Sequence, residues 1–256
     1  MQYIDCKAYA QEILDEVKAI PDKKELWILS MGDNPASESY VKGKTKDCDY
    51  CEIPYSHIKV NTQASLARHI HRANTSSWVG GVIVQLPLPD GIDEDAYTES
   101  ISIFKDVDGF RDNSKFSPCT PEGIMYVLEK ELGDLTGKKA LVIGRGKLVG
   151  IPITAMLLDA NCTVTVAHSK TKNLNELLGA NEIIISAVGK PNIVDLKKCC
   201  QAKVVIDVGV NRDENGKLCG DCYNFDPNGM NIKVTPVPGG IGLMTRAMLM
   251  KHMSET

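Results

Sequence analysis

The sequence predicts a two-lobed α/β protein. Three observations carry this expectation: short β-rich runs alternate with longer amphipathic stretches, a buried run at Ala140–Ile143 enters a glycine-rich turn, and a breaker-rich stretch divides the chain at Gly109–Pro121. Strands alternating with helices at this spacing point to parallel sheets with right-handed crossovers. A chain of 256 residues, 43% hydrophobic and 24% charged, has room for two modest domains and can bury a sizeable core.

In chain order, Met1–Ile20 mixes Asp5, Lys7, Glu12, Asp15, Glu16 and Lys18 among apolar residues. It lacks the apolar core of a signal peptide and reads as an amphipathic helix. Strands are expected at Leu26–Ser30, Ile53–Val60, Val79–Leu86, Ala140–Ile143, Thr163–Ala167, Glu182–Ala187, Val204–Val208 and Lys233–Thr235. Helices are expected at Ser37–Cys51, Gln63–Asn74, Thr120–Leu132, Val149–Leu158 and Leu243–Met253. The stretch GFRDNSKFSPCTP at Gly109–Pro121 combines Gly, Pro, Asn and Ser and breaks both periods, which marks the boundary. A second breaker, PVPGGIG at Pro236–Gly242, precedes the last helix, which can return to the first lobe or cap the second.

A formal net charge of −4 argues against broad binding of nucleic acid or anionic membrane. No apolar run approaches the roughly 20 residues that span a bilayer. Nine cysteines, an odd count, suit free thiols in a reducing, cytoplasmic setting. The pairs Cys48/Cys51 and Cys219/Cys222 are too far apart in sequence for a zinc ribbon, and we expect no metal.

The run after Ala140–Ile143 is Gly144, Arg145, Gly146, Lys147, Leu148, Val149, Gly150, a GxGxxxG turn opening a helix. Such glycines permit a tight turn and let backbone N–H groups approach a pyrophosphate at a helix N-terminus. The spacing is one residue longer than the usual fingerprint. At the end of the next strand, Thr163–Ala167, an NAD-specific fold places an acid for the ribose 2′-OH. Here His168, Ser169 and Lys170 follow instead, with Arg145 in the glycine loop. Donors and positive charge suit a 2′-phosphate, so the expected cofactor is NADP.

In the first lobe, Ser37, Tyr40 and Lys44 share one helical face by their spacing. A hydroxyl, a ring and an amine there could form a site, although Lys42, Lys44 and Lys46 together also suit a solvated face. The strand carrying Val84 runs through Gln85 into Leu86 and Pro87, and ligands in open α/β sheets bind outside the carboxyl ends of strands. Asp106 and Asp108 follow in a loop, a position where acids commonly form turns.

SxxYxxxK, VQLPLP, KDVDGF, PCTPEGI, the glycine loop, HSKT, SAVGKP, IDVGVNR and PVPGGIG with a following MT occur in that order. With these motifs the chain resembles the methylenetetrahydrofolate dehydrogenase/cyclohydrolase family over nearly its whole length. The resemblance implies a folate-binding lobe over residues 1–118, completed by a C-terminal helix at 242–256, and a Rossmann-like NADP lobe over 119–241, with a cleft between. It implies oxidation of methylenetetrahydrofolate with NADP, then hydrolysis of the methenyl product, in a homodimer. By the same resemblance, Lys44 is the catalytic lysine, Tyr40 stacks on the folate, Gln85 tunes Lys44, Asp108 holds the pterin's amino edge and Ser37 helps position the network. Val84, Leu86, Pro87, Gly239, Gly240 and Ile241 would complete the substrate side. Gly144, Arg145, Gly146, Val149, Gly150, His168, Ser169, Lys170, Ala187, Val188, Gly189, Val210 and Thr245 would line the cofactor.

This chain departs from the family pattern in a shortened segment between KDVDGF and PCTP, in Gly146 where a serine is common and in Leu243 where a proline is usual. Other readings are a shikimate-dehydrogenase-like enzyme, a monofunctional folate dehydrogenase and a non-catalytic folate- or nucleotide-binding module. The retained Lys44, Gln85 and Asp108 weigh against the last, which needs no proton-transfer group.

Overall fold

The computed structural model describes all 256 residues, and the chain opens with a two-residue strand, β1 (Gln2–Tyr3), and helix α1 (Cys6–Lys18). It divides into two units, one of Ala10–Cys119 with Arg246–Thr256, the other of Met1–Tyr9 with Thr120–Thr245.

The first unit runs β2 (Glu25–Met31), α2 (Pro35–Cys51), β3 (Tyr55–Val60), α3 (Gln63–Thr75), β4 (Val79–Val84) and a short α4 (Glu94–Thr98). Its three strands are parallel in the order β3-β2-β4. Central β2 and edge β4 are buried through nearly every residue, as expected of parallel strands covered on both faces. Trp27, Leu29, Leu66, Ile70, Val82 and Val84 form one core cluster. Because β2 is followed by β3 on one side and β4 lies on the other, the connections part at the carboxyl ends of β2 and β4. That crevice is where open α/β sheets bind ligands.

The second unit contains α5 (Cys119–Leu132), β5 (Lys139–Ile143), α6 (Gly150–Asp159), β6 (Thr163–Ala167), α7 (Leu174–Ala180) and β7 (Ile183–Ser186). Then come β8 (Val194–Asp195), β9 (Val204–Asp207), β10 (Asn211–Arg212), β11 (Leu218–Cys219), β12 (Cys222–Tyr223) and β13 (Lys233–Val234). The last helix, α8 (Ile241–Ser254), passes from this unit into the first. The main sheet is parallel in the order β1-β13-β9-β7-β5-β6. Its switch point lies between β5 and β7.

The structure differs from the sequence reading at the N-terminus, where Met1–Tyr9 belongs to the second unit. Gln2 N–H donates to Ile232 O and Ile4 N–H to Val234 O, each at 2.9 Å. Met1 packs in that unit's core. The strand expected over Val79–Leu86 stops at Val84, where the chain turns through a cis Leu86–Pro87 peptide. No helix is long and apolar enough to cross a membrane.

Candidate active site

Helix α2 owes its start to Asn34, whose side chain accepts from Ala36 N–H at 2.9 Å and Ser37 N–H at 3.3 Å, with Pro35 at the first position. This N-cap fixes the helix directly after β2, at the switch point. Its buried residues are Ser37, Val41, Lys44, Asp47, Cys48 and Cys51, a stripe of helical period that carries an amine and a carboxylate, the latter paired with Arg246 at 3.0 Å. Lys44 is 5% exposed, while its neighbours Lys42 and Lys46 are exposed. The solvated-face alternative therefore holds for the neighbours alone. Tyr40 is half-buried on the same helix.

Gln85 stands just past β4 and is held at the sheet by its N–H, which donates to Leu29 O at 2.8 Å. Its Nε2 donates to Leu86 O at 2.8 Å, and Ser37 Oγ donates to the same carbonyl at 3.3 Å. Gln85 Oε1 is buried with no hydrogen-bond partner. A buried amide oxygen without a donor is costly, and it marks a place where a ligand or a mobile donor completes the site.

The two acids of the 105–110 loop divide the work. Asp106, 1% exposed, accepts Gly109 N–H at 3.2 Å and Arg111 N–H at 2.9 Å, so it shapes the turn. Burial pushes its carboxyl above the usual range. Asp108 instead faces Lys44, with Nζ to Oδ2 at 3.7 Å and both side chains under 10% exposed. The loop is fastened from α8 by His252, whose ring Nδ1 lies 2.8 Å from Val107 O and which stacks on Phe116 at 4.7 Å. The shortened segment continues this anchoring through Arg111, which binds Ile101 O and approaches Glu99 at 3.6 Å. In sequence, spacing alone does not separate the turn-forming Asp106 from Asp108, and His252 falls within the helix expected at Leu243–Met253. No sequence signal separates a buried histidine there from an ordinary basic residue of a helix C-terminus.

Val84 is 2% exposed and its side chain lies in the core, since adjacent strand residues point to opposite faces. Gly239, Gly240 and Ile241 belong to the other unit, with Gly240 and Ile241 buried.

In the second unit the registers Ile143↔Ala167 and Ile143↔Ser186 bring the carboxyl ends of β5, β6 and β7 side by side. Gly144 follows with φ +113°, its N–H donating to Ala167 O at 2.9 Å, while Ala187 N–H donates to Ile143 O at 2.8 Å. Arg145, Gly146, Ser169 and Lys170 are exposed at this edge, and His168, Val149, Ala187 and Val188 are half-buried. The His168–Thr171 turn is closed by Thr171 Oγ1, which accepts His168 N–H at 2.9 Å, and by His168 Nδ1, which accepts Lys170 N–H at 3.2 Å. No side chain caps α6 and its first turn holds no acid, so no negative side chain opposes an anion at its positive end, although Ile151 N–H there donates to Gly146 O at 3.1 Å. No acid ends β6 either. A Cβ at Gly146 would meet nothing within 4 Å, leaving open space over the loop. The donor set fits a dinucleotide carrying a 2′-phosphate. Val210 is exposed beyond β9, Gly189 is exposed on the loop after β7, and Thr245 Oγ1 lies 3.0 Å from Thr120 Oγ1.

All nine cysteines are free thiols. Cys48 and Cys51 sit inside α2, their sulfurs directed to Met250 Sδ at 3.7 Å and Leu14 O at 3.6 Å. Burial raises both to about 12 and 11 respectively.

Comparison with known proteins supplies the family. The catalytic-domain model of tetrahydrofolate dehydrogenase/cyclohydrolase matches residues 4–108, and that family's NAD(P)-binding-domain model matches residues 118–256. Bifunctional protein FolD 2 of Ectopseudomonas mendocina is 42% identical, covering 97% of this chain and 89% of its own. The crystal structure of the bifunctional methylenetetrahydrofolate dehydrogenase/cyclohydrolase from Campylobacter jejuni is similar at 39% identity and TM-score 0.89, covering 98% of this chain and 96% of its own. The Trypanosoma brucei methylenetetrahydrofolate dehydrogenase-cyclohydrolase, solved with NADP cofactor and inhibitor, superposes with TM-score 0.91 at 29% identity, covering 98% and 95%. The chain belongs to the tetrahydrofolate dehydrogenase/cyclohydrolase family.

Proposed function

We propose that this chain oxidises 5,10-methylenetetrahydrofolate to the 5,10-methenyl form with NADP and hydrolyses that cation to 10-formyltetrahydrofolate. The observation that carries the chemistry is a lysine amine 5% exposed and 3.7 Å from a buried Asp108 carboxylate, on the helix whose Ser37 shares the Leu86 carbonyl with Gln85.

In the hydrolysis, water adds to the cationic methenyl carbon and loses a proton. The Lys44 amine takes that proton and passes it on; ring opening then leaves the formyl group on one nitrogen and hydrogen on the other, with net release of one proton. Gln85 Oε1, unpartnered in the structure, would accept from the Lys44 ammonium during the reaction and steer it. Asp108 accepts two donors from the substrate's amino edge, a geometry suited to an ionised carboxylate. Tyr40 provides a ring platform, and Ser37 holds the Leu86 carbonyl that Gln85 also uses. When bound, NADP supplies the hydride acceptor for the dehydrogenase step. Gly146, over which there is open space, would leave room for its phosphates, Gly144 and Gly150 allow the close backbone packing of the turn, and Arg145, Ser169 and Lys170 would hold the 2′-phosphate.

An absorbance assay with methylenetetrahydrofolate and NADP is expected to show methenyltetrahydrofolate forming with reduced cofactor, then decaying faster than it does spontaneously. Reduced cofactor without enhanced decay would leave a monofunctional dehydrogenase; no turnover at all would favour a binding module. Arg145→Ala should lower kcat/KM for NADP about tenfold, the low end for a hydrogen bond to a charged group because Arg145 is exposed. The value for NAD should change little, and an equal fall with both cofactors would remove Arg145 from 2′-phosphate recognition.

The homodimer expectation has a physical basis in β6, the edge strand of the large sheet. Val166 on this strand is 39% exposed, and Ile151 and Leu158 of the preceding α6 are 59% and 55% exposed. An open edge with adjacent apolar residues is a site for pairing with a second copy. Light scattering giving twice the mass of 28.0 kDa would support it, and a monomer at micromolar concentration would refute it. Nine free thiols suit a reducing, cytoplasmic compartment.

A further inference from the structure

Asp221 lies outside every motif that defines the reaction, in the turn between β11 and β12, and is 0% exposed. Its carboxylate is unusually well supplied with donors. Oδ2 accepts Ser186 Oγ–H at 2.8 Å, Val188 N–H at 3.0 Å and Gly189 N–H at 3.3 Å. Oδ1 accepts Lys190 N–H at 2.9 Å and Asn211 Nδ2–H at 3.0 Å. Three successive amides of the loop after β7 thus converge on one internal anion, the arrangement by which a backbone nest holds a charged group.

The carboxylate is itself fixed. Asp221 N–H donates to Asp207 Oδ1 at 2.9 Å, and Asp207 Oδ2 also holds Cys222 N–H at 2.8 Å. Asp221 O accepts Ile193 N–H at 2.8 Å and Val194 N–H at 3.1 Å, closing the far end of the same loop. Space is reserved for the group, since a Cβ at Gly209 would lie 2.0 Å from Asp221 Oδ1. The held loop begins at Ala187, whose carbonyl packs against Gly144 at the β5/β7 switch point.

We propose that Asp221 is the positioning residue for the cofactor site: its buried carboxylate sets the backbone of Val188–Lys190, and through Ala187 the wall opposite the glycine loop. This rests on the cofactor-site reading above. The loop amides are consumed by an internal anion, so their task is to fix the shape of the wall, and loss of the anion lets the wall move. A carboxylate accepting several amide hydrogens cannot be replaced by an amide, which turns donors towards donors.

The test is Asp221→Asn in the full chain, with three readouts: NADP dissociation constant by titration, methenyltetrahydrofolate hydrolysis without cofactor, and hydrogen exchange of the Val188, Gly189 and Lys190 amides in cofactor-free protein. The expected result is an NADP dissociation constant raised about tenfold or more, as for loss of hydrogen bonds to a charged group. Hydrolysis should stay within about twofold while the three amides exchange faster. Unchanged affinity and unchanged exchange in a folded variant would overturn the proposal, as would an equal fall of both activities with general loss of protection. If the unmodified protein fails to bind NADP, the cofactor-site reading fails, while the exchange arm still decides whether Asp221 orders the loop. Should Asp221→Asn not fold, Asn211→Ala removes a single donor to the same carboxylate. Several-fold weaker NADP binding with faster exchange at Lys190 is then expected, and no change in either overturns the inference.

Discussion

Lys44→Met is expected to slow methenyltetrahydrofolate hydrolysis about 10²- to 10⁴-fold, the span that a positioned proton-transfer group contributes. The amine sits in the buried stripe of α2, 3.7 Å from Asp108. Methionine keeps the length and apolar stem but removes the acceptor. It also leaves Asp108 as a buried charge without its partner, and breaking such a pair costs about 3–5 kcal/mol. Stability and catalysis must therefore be separated. Lys44→Arg does this: the guanidinium preserves the ion pair with Asp108 but stays protonated in proteins. It should recover thermal stability and leave hydrolysis as slow as in Lys44→Met. The measurement is the loss of methenyl absorbance above the spontaneous rate, with a melting curve for each variant. Near-normal hydrolysis in Lys44→Arg would exclude proton acceptance by Lys44 and reduce its role to charge.

How far the site could be read from sequence depends on what kind of neighbour decides each residue. The spacing of Ser37, Tyr40 and Lys44 is a local, helical fact and is visible without a structure. Lys42, Lys44 and Lys46 look alike by charge; only packing of α2 separates the buried one from the exposed two. Asp106 and Asp108 are likewise indistinguishable until backbone donors are placed, because one is satisfied by amides of residues 109 and 111 and the other by Lys44. Strand alternation argues that Val84 and Gln85 face opposite ways, and the valine side chain lies in the core. β1 was out of reach for another reason. Two residues have no period, and their partner strand lies at Lys233–Val234. Asp221 follows a glycine in a short turn, where Gly-Asp ordinarily signals solvent exposure. Its burial comes from five donors spread over Ser186–Asn211, a tertiary fact that no local pattern announces.

Gly144→Ala is expected to weaken NADP binding about 10²-fold while hydrolysis persists. Two separate obstacles meet at this residue. Its φ of +113° lies where side chains are disfavoured, at a cost on the order of 1–3 kcal/mol. In addition, a Cβ there would lie 2.4 Å from Ala187 O and 3.0 Å from Ala187 C, both backbone atoms that cannot swing aside. Relief requires Gly144 or Ala187 to shift, and these two residues directly follow the neighbouring strands β5 and β7 that bound the switch point. Together the strain and the displacement amount to a few kcal/mol, which at about 1.4 kcal/mol per decade accounts for the expected loss. Hydrolysis depends on Ser37, Lys44, Gln85 and Asp108, all within Ala10–Cys119, and so offers an internal control. Gly146→Ala supplies the contrast, because a Cβ there meets nothing within 4 Å. It should fold normally, and any loss of NADP affinity in it measures space that the ligand itself uses. Unchanged NADP affinity in a folded Gly144→Ala would remove the β5/β7 crevice as the cofactor site. Parallel loss of both activities would instead show that the strain at Gly144 spreads beyond its own unit.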